Sequence, residues 1–146
     1  MRIDFYHLTA RPLEKVLPAI CEKLVGSGER LLVVAGEGQG EALDRELWAY
    51  APESFLPHAR AGSANDAAQP VLIATEAAPP QNGARNIAIA DGHWRDEALG
   101  FDRVFYFFDS ATIDQARTSW RALKERGGAE RHYWKQDENG RWAEGP

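Results

Sequence analysis

RLLVVAGEGQGEAL, residues 30–43, runs from an apolar segment into a glycine-rich turn and then into an expected helix. Leu31 to Ala35 is continuously apolar, the pattern of a strand covered on both faces in a parallel sheet. Gln39 to Tyr50 reads as the helix that follows, so the stretch is half of a strand-helix-strand unit. The turn between them invites a nucleotide reading, because dinucleotide-binding folds place glycines at the first, third and sixth positions of such a turn. Here the glycines are Gly36, Gly38 and Gly40, and the sixth position is Glu41. No Lys-Ser or Lys-Thr pair follows, which excludes a P-loop. Glu37 and Glu41 would repel a phosphate brought to the helix N-terminus. The simpler expectation is a strand-to-helix turn that uses glycine for its backbone angles.

Working outward, Arg2 to Leu8 alternates Ile3 and Phe5 with polar neighbours and reads as a first strand. Leu13, Val16, Leu17, Ile20, Cys21 and Leu24 form a helical stripe after Thr9 and Pro12, with Pro18 expected to kink that helix or delay its start. Gly26 and Gly28 end it. Pro70–Thr75 and Asn86–Ala90 read as strands separated by a Pro, Gly and Asn turn at residues 79–83, and Arg103–Phe108 as another. Ala111–Arg126 is the last long helix, stopped by Gly127 and Gly128, with Glu130–Lys135 as a final strand. Ala59–Gln69, rich in Ala, Gly and Ser, reads as a surface loop. Strands alternating with helices give a three-layer α/β/α sandwich around a mostly parallel, mixed sheet.

The chain has 146 residues, the size of a single domain, residues 1–146, with a sizeable core. Apolar residues make up 44% and charged residues 27%, the balance of a globular protein. No apolar run approaches the ~20 residues that span a bilayer. The N-terminus lacks the apolar core of a secretory signal, so a cytoplasmic location is expected and no membrane partner. The lone Cys21 excludes an internal disulfide. A net charge of -5 argues against general nucleic-acid affinity, yet Arg117, Arg121, Lys124, Arg126, Arg131 and Lys135 crowd the C-terminal third. An acidic partner would be attracted there.

His7, His58, His93 and His132 show no zinc-site spacing, and Cys21 lies on an apolar helical stripe where a thiol acts as a small hydrophobe. No nucleophile elbow or carboxylate pair stands out, so neither a catalytic residue, a metal nor a cofactor is expected. Two clusters remain. LWAYAPESFLPH, residues 47–58, gathers Trp48, Tyr50, Phe55 and Leu56 among Pro52, Pro57 and His58. It reads either as an aromatic loop closing one end of the core or as a protein contact site with a few strong anchors. SATIDQARTSWRALKERGG sets Ile113, Ala116, Trp120 and Leu123 on one helical stripe and Arg117, Arg121 and Lys124 on the next. That second stripe is either a solvated basic face or a clamp for a carboxylate beside an apolar dock.

The residues also resemble a known family. In LDRELWAYAPESFLPHARAG a Leu-Asp, a Leu-Trp and a Glu-Ser-Phe-x-Pro-His run occur in the order found in the chi subunit of bacterial DNA polymerase III. The likeness extends through Phe5-Tyr6, GERLLVVAGE, PVLIAT and ARTSWRALKERG, over nearly the whole chain. The resemblance implies a Rossmann-like fold and a clamp-loader accessory protein that is not itself an enzyme. It implies two partners: the psi subunit, which ties chi to the clamp loader, and the acidic, Phe-terminated C-terminal tail of the single-stranded DNA-binding protein. It implies a psi-facing surface of Trp48, Phe55, Leu56 and Pro57, with Phe55 as anchor. It implies tail binding by Arg117, which would fork onto the terminal carboxylate, by Trp120, which would wall the pocket for the Phe, and by Arg121 on the upstream acids, with Lys124 as a further cation. The sequence departs from the family one turn before Arg117, where some members are basic and this chain has Ile113. It departs again after Gly128, where Trp142 matches the family's terminal aromatic loosely. The rival readings are a nucleotide-binding enzyme using Gly36–Gly40 and direct single-stranded DNA binding through the basic helix, of which the second is not expected to shift a bare oligonucleotide.

Overall fold

The computed structural model describes residues 1–49, 58–62, 67 and 69–145. Among these residues the chain forms β1 (Arg2–His7), α1 (Leu13–Gly26), β2 (Leu31–Val34), α2 (Glu37–Ala49), β3 (His58–Arg60), β4 (Val71–Ala74), β5 (Asn86–Ile89), β6 (Arg103–Phe108), α3 (Ile113–Arg126), β7 (Glu130–Gln136) and β8 (Trp142–Glu144), plus a short 3₁₀ helix, Asp96–Gly100. The strands join in one sheet in the order β3-β4-β2-β5-β6-β1-β7-β8. Every neighbouring pair is parallel except β7 and β8, which are antiparallel. The sandwich around a mostly parallel, mixed sheet is thus the observed fold.

The period of two along each strand divides the core between the sheet's faces. Tyr6, Leu31, Val33, Ile73 and Phe107 meet Leu13, Leu17, Cys21, Leu43 and Leu47 of α1 and α2 on one face. Ile3, Phe5, Leu32, Ile87 and Tyr106 meet Ala116 and Leu123 of α3 on the other, where the segments between β4 and β6 add Ala77, Ala84, Ala98 and Phe101. The second face is therefore covered partly by connections rather than by a full helical layer. Cys21 is fully buried on the α1 stripe, and burial pushes its thiol up to about 12. Asp4, fully buried, accepts hydrogen bonds from Arg2, Arg103 and Trp134, tying β1 to β6 and β7 and satisfying a charge that would otherwise be costly in the interior.

Several sequence expectations need correction. Ala59 and Arg60 are not loop but part of β3, whose pairing with β4 sets His58 beside Val71. A strand of that length carries no readable alternation. The two strands expected on either side of the turn at residues 79–83 are present as β4 and β5, with β2 between them in the sheet, and the buried Asn82 pins the crossover by donating to Gln69 O and accepting from Ala84 N. α1 starts at Leu13 and continues through the buried Pro18, so the proline does not delay it; its cost is the missing donor to the Glu14 carbonyl. Finally, Gly36, Gly38 and Gly40 do not serve a special backbone conformation, since none has a positive φ. Gly40 is held by space, because a Cβ there would meet Ile73 Cγ2 at 3.3 Å, whereas Gly36 and Gly38 have nothing within 4 Å.

Candidate binding site between α3 and β7

α3 is amphipathic by its 3.6-residue period, burying Ala116, Ser119 and Leu123 against the sheet and ending at Gly127, whose φ of 72° suits glycine. The helix leaves open a cavity of about 450 Å³, lined by its own Ile113, Ala116, Arg117, Trp120 and Arg121 and by the sheet and tail residues Phe5, Phe108, Tyr133, Lys135 and Gly145. The floor is aromatic. Phe5 and Phe108 are almost wholly buried, and Phe5 meets Trp120 edge to face at 5.0 Å and 88°. Register explains the convergence: Phe5 on β1 lies beside Tyr133 on β7, and His7 lies beside both Phe108 on β6 and Lys135 on β7.

Trp120 is fixed before any ligand arrives. The Arg131 guanidinium lies 4.1 Å from its ring centroid and donates to its carbonyl at 2.8 Å, while Tyr133 meets its edge at 6.1 Å. A wall held in this way needs little ordering on binding. His7 Nδ1 sits 3.0 Å from the Tyr133 hydroxyl, and its ring stacks on Phe108 at 5.0 Å. Burial, with Lys135 and Arg117 nearby, holds His7 below its usual pKa, and burial raises Tyr133. Arg117 has one weak local partner, Asp114 at 3.8 Å, and the two side chains are 65% and 97% exposed. Such a pair contributes little and does not occupy the fork. The result is an apolar slot with cations at its rim, suited to an apolar side chain next to a carboxylate.

The structure thus brings Arg117, Trp120 and Arg121 to one cavity and leaves Lys124 out of its lining. Lys124 is in line with Arg117 but seven residues on, about 10 Å along the axis. Ile113 lines the slot as an apolar wall. Sequence reasoning missed Phe5, Phe108, Tyr133 and Lys135; the alternation in ERHYWKQ, residues 130–136, does put Tyr133 and Lys135 on one face, but not which face α3 covers.

The second cluster lies at the far end of the sheet. Trp48, in the last turn of α2, is 56% exposed, and its ring centroid is 4.5 Å from that of His58. His58 is buried on the edge strand β3, with Nε2 3.2 Å from Asp44 Oδ1, and so ties α2 to the sheet. Phe55, Leu56 and Pro57 lie outside the described residues.

At the glycine turn, Gln39 takes the role of a capping side chain, accepting from Gly36 N at 3.2 Å while donating to Ala90 O at 2.6 Å. The neighbouring crevice beyond the carboxyl ends of β1, β5 and β6 is lined by Thr9, Arg11, Gln39, Asp91, Asp109 and Thr112 among others. Its polar groups are largely committed to one another's chain segments: Asp91 holds Arg95 at 2.6 Å, and Asp109 accepts from Ala111 N. Among the described residues no group of three His, Cys, Asp or Glu side chains is placed to hold a metal ion, and no helix is long and apolar enough to cross a membrane.

A comparison with curated proteins gave no match. The family model described as DNA polymerase III chi subunit, HolC, matches residues 1–130, most of the 146-residue chain and including the α3 residues of the cavity. The resemblance read from the central motif and the basic helix is the same one, and the chain belongs to the DNA polymerase III chi subunit family.

Proposed function

We propose that the chain is a non-catalytic replication adaptor, holding the acidic, Phe-terminated C-terminal tail of the single-stranded DNA-binding protein in the α3–β7 cavity and the psi subunit of the clamp loader at the α2–β3 end. The observation that carries this reading is the cavity itself, an apolar aromatic slot rimmed by Arg117, Arg121 and Lys135. In it Arg117 forks onto the terminal carboxylate, the terminal Phe enters between Trp120 and the Phe5–Phe108 floor, and Arg121 meets the acidic residues upstream. Trp48, 56% exposed in the last turn of α2 at the opposite end of the sheet, supports the second contact. Rim charges exposed to water are screened by salt, so the tail contact weakens as ionic strength rises.

The test is calorimetric titration with a peptide ending in several acidic residues and a Phe. Binding in the micromolar range by the free acid, lost on amidating the peptide's terminus and in Arg117→Ala, is the expected result. Equal binding of the amidated peptide removes the carboxylate fork, and absence of binding to the free acid removes the tail role altogether.

A further inference from the structure

The cations near the cavity define two possible courses for an acidic segment. Along α3 they run from Arg117 past Arg121 to Lys124, which does not border the slot; across the slot they run from Arg117 on α3 to Lys135 on β7, which does. We propose that Lys135 is a carboxylate-binding residue of this site and that the acidic part of the ligand crosses from α3 to β7 instead of following α3 toward Lys124. The inference rests on the tail-binding reading above and adds the ligand's direction and a contact residue.

Three observations favour the crossing. The Lys135 side chain is exposed and its ammonium has no hydrogen bond or ion pair to a described residue, so it is available. Its strand position places it beside His7, and it lines the same cavity as Phe5 and Phe108, the floor that would receive the apolar end of the ligand. Ile113 makes the N-terminal side of the α3 wall apolar, which leaves β7 as the source of positive charge opposite Arg117.

His7 supplies a readout that a merely structural lysine would not move. The groups acting on its ring are Lys135 from β7 and Arg117 from α3, which disfavour its protonation, and Asp109 after β6, which favours it; the Tyr133 hydroxyl from β7 is its hydrogen-bond partner. An anion seated between Arg117 and Lys135 offsets both cations and draws a proton toward His7.

The experiment titrates the same free-acid peptide into wild type, Arg117→Ala, Lys135→Ala, Lys135→Glu and Lys124→Ala at low and high salt, and follows the His7 ring by NMR from pH 5 to 8. Expected are a loss of about three- to tenfold in affinity for K135A, a larger loss for K135E, a shallower salt dependence for K135A, and no change beyond about twofold for K124A. The His7 titration midpoint should rise in unliganded K135A and, in wild type, on adding peptide. An unchanged affinity in K135A, or a loss in K124A at least as large, overturns the crossing while the tail reading stands on the Arg117 result. No binding by wild type removes both.

Discussion

The two candidate contact regions, at opposite ends of the sheet, are built in opposite ways. At the β7 end the candidate contacts surround a slot whose floor is core: Phe5 is fully buried, and Trp120 is gripped by Phe5, Tyr133 and Arg131. At the β3 end the described candidate is Trp48, more than half exposed and backed by the ring of His58. A slot of this kind can select a short segment by its terminal side chain and its charge, because both must fit together. An exposed aromatic on a helix end selects by area, and its specificity depends on what the partner places around it. If both regions bind as proposed, the first contact is coupled to the stability of the fold through the buried Phe5, and the second much less so.

Phe5→Ala is the harshest test of that coupling. Removing a fully buried ring from the meeting point of β1, β6 and α3 should cost about 3–5 kcal/mol in thermal or denaturant unfolding, and should abolish tail binding with it. Trp48→Ala should stay within about 1 kcal/mol of wild type, because much of that ring is already in water. Equal losses in the two variants would erase the distinction between the ends.

Next in size is a double dissociation of partners. Arg117→Ala removes a charge-assisted fork of about 1.5–3 kcal/mol, so tail-peptide affinity should fall by roughly ten- to a hundredfold while psi binding is spared. Trp48→Ala should do the reverse, weakening psi association at least tenfold and leaving the peptide titration unchanged. A variant that damages both contacts would mean the two ends communicate through the sheet.

A smaller effect is expected at the start of α2. Gly38 lies inside that helix with ordinary φ and open space around its missing Cβ, so Gly38→Ala should stabilise the protein by about 0.5–1 kcal/mol and leave the tail slot untouched. Gly40→Ala should not share the gain, because its Cβ would press on Ile73 Cγ2 at 3.3 Å. Unfolding midpoints of the two variants settle the point, and a nucleotide titration of Gly38→Asp beside wild type addresses the rival use of this turn.

Local period made much of the fold legible, and long-range pairing supplied the rest. The unbroken LLVV records a strand buried on both faces and the amphipathic stripe of α3 records its buried side, whereas RIDFYH marks a strand but not its burial, since Asp4 and Tyr6 are buried opposite Ile3 and Phe5. HAR and WAE are too short to record anything, so β3 and β8 follow from pairing with β4 and β7. The insertion of β2 between β4 and β5 is likewise invisible locally, since the turn chemistry at residues 79–83 is the same whether the strands are neighbours or not. The site divided in the same way. Arg117, Trp120 and Arg121 share one helix and could be read from its period, whereas Phe5, Phe108, Tyr133 and Lys135 reach the slot from three strands whose register no single segment encodes.

The smallest predicted effect separates the two faces of the β7 end by charge. His7 lies on the slot face, and burial, Lys135 and Arg117 lower its pKa below the usual value near 6.5. His132 lies on the opposite face, where Glu144 at 2.6 Å and then Glu130 raise it. As pH falls through 6.5 the unfolded chain takes up a proton at position 7 before the native one does, so His7 costs stability in acid, down to its own lower midpoint. For His132 the order is reversed: its contribution is complete below 6.5 and disappears as pH rises through its raised midpoint. The two imidazole titrations should therefore straddle 6.5 by NMR, and salt should draw the partly exposed His132 back toward it. His7→Gln should flatten the acid side of the stability profile, and His132→Gln the region just above 6.5. If His7 titrated above His132, burial together with Lys135 and Arg117 would not be holding its ring neutral, and the picture of a dry slot with cations at its rim would fail at the His7 side.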